Sequence, residues 1–102
     1  MPPIQSNDFD GLPGADAIRA GLADLAAGHE SVASLLIQIG APRLSWLGIT
    51  LPTPPDPDAD RRLYQLLAAR HGNEAHSQFN SLIRQLVSFE RALECRLFAR
   101  QR

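Results

Sequence analysis

Few residues of this chain have side chains that could do chemistry: three histidines, one cysteine, and ten basic residues that are all arginine. His71 and His76, with Glu74 between them, have the composition of a metal cluster. Five residues along a helix turn through a net angle of about 140°, however, so the two rings diverge, and zinc would need further nitrogen or sulfur donors. They read as capping and loop histidines. Cys95 has Arg91 one helical turn before it, which favours thiolate, but no histidine lies nearby in sequence to act as a base. There is no G-x-S-x-G elbow, no glycine-rich phosphate loop after a strand, and no pair of carboxylates in an apolar setting. The sequence therefore predicts no metal, no cofactor and no small-molecule substrate.

One stretch does fit a nuclease pattern. Arg70 is followed by His71, Gly72, Asn73, Glu74, Ala75 and then His76. This resembles the R-x(4 to 6)-H motif of the HEPN family, whose all-helical domains often dimerise to place two motifs in one RNA-cutting cleft. The resemblance implies His76 as general acid/base and Arg70 as stabiliser of the pentacovalent phosphate. The asparagine that the family prefers after the arginine is replaced here by His71.

The arginines are unevenly distributed. Residues 1–60 hold eight acids against Arg19 and Arg43, whereas residues 61–102 hold eight arginines against Glu74, Glu90 and Glu94. The formal net charge of −1 thus conceals two oppositely charged halves, which should attract each other or a partner. Arg61 and Arg62 open one predicted helix, and Arg84 and Arg91 stand one heptad apart on the outer face of the next. These four are the candidate contacts to nucleic-acid phosphates. Phe79, Phe89, Phe98 and Tyr64 are expected at or near core positions, leaving no stacking platform beside them.

The elements that position these groups follow from apolar spacing. The opening residues 1–13 are rich in proline and glycine and predict an irregular arm. From Ala15, the residues Ile18, Leu22, Leu25, His29, Val32, Leu36 and Ile39 recur in alternating steps of four and three, a heptad seam. The unbroken phase predicts one helix over 15–39 despite Gly21 and Gly28, with His29 as a polar member of the seam. Gly40, Ala41 and Pro42 then act as its stop. Residues 42–48 predict a short helical turn, and 51–58, with four prolines, a stiff crossover. Asp56 and Pro57 are the expected N-cap and first position of a third helix ending at Gly72. Asn73 is the expected cap of the last helix, whose seam is Phe79, Leu82, Leu86, Phe89, Leu93 and Arg96. Matching seams predict an antiparallel pairing of first and last helices that brings His29 to Phe89 and Glu90, and Arg96 to Asp10 and Asp8.

The sequence thus predicts an all-α fold, a small bundle of three to four helices with two long antiparallel ones, as a single domain over 14–102. Leu35, Ile37, Val87, Leu97 and Phe98 fall beside the seams and are the candidate interface residues. The functional expectation is a non-enzymatic helical interaction or adaptor protein, homodimeric or part of a larger assembly, with nucleic-acid contact through a basic C-terminal face. The alternative is a small HEPN-like ribonuclease using Arg70 and His76. The lone cysteine and the lack of a secretory start predict a soluble, cytoplasmic protein with no membrane span.

Overall fold

A computed structural model describes residues 6–100, and among these the regular secondary structure is all helix, without strands. Residues 1–5 of the expected arm lie outside the described residues. Four α-helices follow in order: α1 (Ala15–Ala26), α2 (Val32–Trp46), α3 (Ala59–His71) and α4 (Ala75–Arg100). A single 3-10 turn, Ser6–Phe9, precedes them, and another, Gly72–Glu74, joins α3 to α4. The bundle is elongated, 47 × 25 × 20 Å.

The continuous helix expected over 15–39 is two helices, broken at Gly28. Gly28 adopts a left-handed φ of 73°. Its amide donates to the Leu25 carbonyl at 3.1 Å, and the His29 amide donates to the Asp24 carbonyl at 2.8 Å. This is the glycine-terminated Schellman closure, which satisfies the carbonyls that α1 leaves open. Ser31 then caps α2: its hydroxyl accepts from the Ser34 amide at 3.1 Å, while the Ser34 hydroxyl accepts from the Ser31 amide at 2.7 Å. A second bond, from the Ser31 hydroxyl to Asp24 at 2.6 Å, ties the two helices at the bend. The apolar phase that runs through Gly28 is thus a coincidence of spacing, and local capping chemistry decides the break.

The expected stop at Gly40 is also displaced. α2 continues through Pro42 to Trp46, and Gly48 (φ 101°) repeats the same closure, its amide bonding Ser45 and that of Ile49 bonding Leu44, both at 3.0 Å. A proline inside a helix forfeits one backbone bond and costs about 3 kcal/mol. Continuing the helix places Leu44 and Leu47 in the core, and each such burial contributes roughly 1.5–3 kcal/mol, enough to offset it.

Helix directions follow from the contacts. α1 and α2 form an antiparallel hairpin so close at Gly21 that a Cβ there would sit 2.5 Å from the Ala33 carbonyl oxygen. α3 and α4 form a second hairpin, with Tyr64 tilted on Phe79 at 5.8 Å. Between the hairpins, Gly40 lies against Leu86 and Glu90, and Arg43 reaches Glu94 at 2.6 Å, so α2 and α4 run parallel. The expected antiparallel seam between residues 15–39 and the last helix is therefore absent. What packs antiparallel on α4 is the arm. Phe9 is buried edge-to-face on Phe89 at 5.2 Å, and Arg96 donates to the backbone carbonyls of Asp8 and Asp10 at 2.8 and 2.7 Å. The expected approach of Arg96 to these residues is present, made through carbonyls rather than carboxylates. α3 begins at Ala59, two residues after the expected start, because Asp56 spends its carboxylate on the Asp58 amide in a turn and on Arg62.

Candidate interaction site

The sequence-predicted site residues separate into buried and exposed groups. Leu35, Ile37 and Leu97 are 3%, 1% and 7% exposed, inside the chain's own core, so the expectation that they lie open as an interface does not hold. Their positions beside the heptad seams face a second neighbour that a two-helix pairing omits: α2 contacts α1, α3 and α4 at once. Val87 and Phe98 do lie open. Phe98, expected at or near the core, is 56% exposed.

Of the four arginines expected to meet phosphates, two are already engaged. Arg62 bridges Glu30 and Asp56, and Arg61 pairs with Asp58 at 3.3 Å. Arg62 thereby pins the proline-rich crossover to the α1–α2 bend, helped by Gln38, whose amide oxygen accepts from the Asp56 amide at 2.8 Å. An open cleft of about 260 Å³ lies beneath, lined in part by His29, Glu30, Gln38 and Arg62. Arg84 and Arg91 are exposed, and neither has an ion pair or hydrogen bond among the described residues.

His29 is exposed at the bend rather than buried against Phe89 and Glu90. Arg70 and His76 are both exposed on either side of the α3–α4 turn, and the His76 ring nitrogen Nε2 lies 3.1 Å from the Asn80 side-chain amide. Among the described residues, no three histidine, cysteine, aspartate or glutamate side chains are grouped to hold a metal, and no helix is long and apolar enough to cross a membrane.

The residue that sequence reasoning passed over is Trp46, 64% exposed at the end of α2. Its ring is not loose. The Arg43 guanidinium stacks over it at 4.7 Å and is itself held by Glu94 on α4. Counting along each helix from this Arg43–Glu94 bridge, Trp46 follows by three residues and Phe98 by four, so both stand one turn further on, on the same side of the bundle. Trp46 was legible only by carrying the helix through Pro42, since Leu44 and Leu47 then face inward and Trp46 outward.

Beside this site lies Glu90, 8% exposed and facing the gap left by Gly40. Burial pushes its carboxyl above the ordinary carboxylate range, and the Arg43 charge pulls partly back. No family model, curated protein or solved structure matches this chain.

Proposed function

We propose that the chain is a non-enzymatic helical interaction module that engages a macromolecular partner, a second copy or another protein, through the α2–α4 face around Trp46 and Phe98. The observation that supports this reading is the exposure of two large aromatic rings on one side of the bundle, one of them fixed by a stacked and salt-bridged arginine. Rigid exposed tryptophans are the side chains that dominate interface energies, because they bury much area with little loss of conformational freedom.

The double variant Trp46→Ala/Phe98→Ala tests it. Both rings are surface groups, so melting should shift little, by about 0.5 kcal/mol or less per site. Light scattering above the 11.2 kDa of one chain, falling to that mass in the variant, supports self-association. A defined protein captured by the wild type and lost by the variant supports a larger assembly. A monomeric wild type that captures nothing overturns the proposal. If it instead cleaves RNA, and loses that activity in His76→Ala, the nuclease reading replaces it.

A further inference from the structure

The pattern around the exposed rings narrows the partner. At about 100° per residue, Val87, Phe98, Arg91 and Arg84 fall within an arc of about 60° on the outer face of α4, beginning beside Glu94. All four are exposed. Arg84, Arg91 and Phe98 are each one heptad apart, so they form a straight row about 21 Å long. Trp46 adjoins the Phe98 end of this row through the Arg43–Glu94 bridge. The surface therefore has an aromatic end and a cationic end at helical spacing, and neither cation forms an ion pair among the described residues, the neighbouring Glu94 being bound to Arg43.

Resting on the reading above, we infer that this row is the docking face for an acidic amphipathic helix of a protein partner. A helix laid along α4 presents residues at the same seven-residue spacing. Glutamates at two successive positions meet Arg84 and Arg91, and an apolar residue one heptad further meets Phe98 and Trp46. A second copy of the chain fits this row poorly. If α4 pairs with itself about an axis near Val87, Arg84 faces Arg91 twice. With the axis at Arg91, Phe98 meets Arg84 but Arg91 faces itself, and like charges across an interface cost several kcal/mol. A single nucleic-acid strand could stack on the rings, but its continuous phosphates would pass the Glu94 carboxylate set between Arg43 and the row.

Trp46 is the only tryptophan, so its fluorescence in the full chain reports this site alone. The probe is a synthetic helical peptide of about three heptads, with glutamate at two successive positions one heptad apart and leucine one heptad further along the same face. Three controls are the same peptide with lysine for glutamate, an oligothymidine of about 20 nucleotides, and vesicles of equimolar phosphatidylcholine and phosphatidylserine. The inference expects a saturable blue shift with the glutamate peptide alone. Added salt should weaken it, and Arg84→Ala/Arg91→Ala should raise Kd about tenfold with circular dichroism unchanged. If the lysine peptide, the oligonucleotide or the vesicles move the Trp46 emission and the glutamate peptide does not, the acidic-helix partner is overturned while the surface reading stands. If no probe moves it, the acidic-helix partner is likewise overturned, and the surface reading is decided by the light-scattering and capture experiments above.

Discussion

At the residue scale, Glu90 is where position and chemistry conflict most. It is one of two polar side chains buried among the described residues, the other being Ser34. It lies opposite Gly40, and the nearest cation, Arg43, directs its hydrogen bond to Glu94 instead. Because burial raises the Glu90 pKa in the folded chain above its unfolded value, the native state binds the proton more tightly. This group's contribution is therefore most favourable below the unfolded carboxylate pKa, where both states are protonated. It declines as pH rises through the folded pKa, where the buried charge must form. Glu90→Gln should remove that decline and raise stability at neutral relative to acid pH. Urea titrations of wild type and variant between pH 4 and 8 check this, and parallel pH profiles for the two proteins would contradict it. None of this was legible in the sequence, which placed Glu90 beside the seam as a partner for His29. What determines its burial is the missing side chain at Gly40, on a helix that the sequence pattern ends at that residue.

At the scale of elements, the two glycines inside the expected first helix turn out to act by different physics. Gly28 is left-handed, and a Cβ added there would meet no atom within 4 Å, whereas Gly21 is ordinary helix pressed against Ala33 and Ile37. In a continuous exposed helix, alanine at either site would stabilise by about 1 kcal/mol. Here Gly28→Ala should destabilise by about 1 kcal/mol, through left-handed strain alone. Gly21→Ala should cost about 1–3 kcal/mol, because the atom it meets is a backbone carbonyl that cannot rotate away. Chemical denaturation distinguishes the cases, and a gain in stability from either alanine would contradict the broken hairpin. The last helix was legible over most of its length, since Leu86, Phe89 and Leu93 hold its seam in the core as the spacing required. The first was not, because a heptad phase records which side is apolar and carries no information about a turn that preserves the phase. The Ser31–Ser34 cap lies in plain sequence, and with Gly28 three residues before it was the available signal for the break.

At the scale of the whole molecule, the opposed charges of the two halves are only partly spent inside the chain. Arg62 crosses from the basic half to Glu30 and Asp56, and Arg43 crosses the other way to Glu94. Arg96 meets the acidic arm through its backbone, which makes that contact less sensitive to salt than an ion pair between exposed side chains. It also joins positions 86 and 88 residues apart, so it closes nearly the full length of the described chain. By holding the carbonyls on both sides of Phe9, Arg96 keeps that ring against Phe89. Arg96→Ala should therefore release the arm as a unit. The loss of two charge-assisted hydrogen bonds together with a loosened aromatic contact predicts about 2–4 kcal/mol of destabilisation. Phe9→Ala should cost a similar amount, and the double variant little more than either alone, because each acts through the same docked arm. A double-mutant cycle by guanidinium denaturation measures this coupling. Strictly additive losses would show that the arm is held at independent points, and that the arginine serves the α4 surface rather than the closure of the fold.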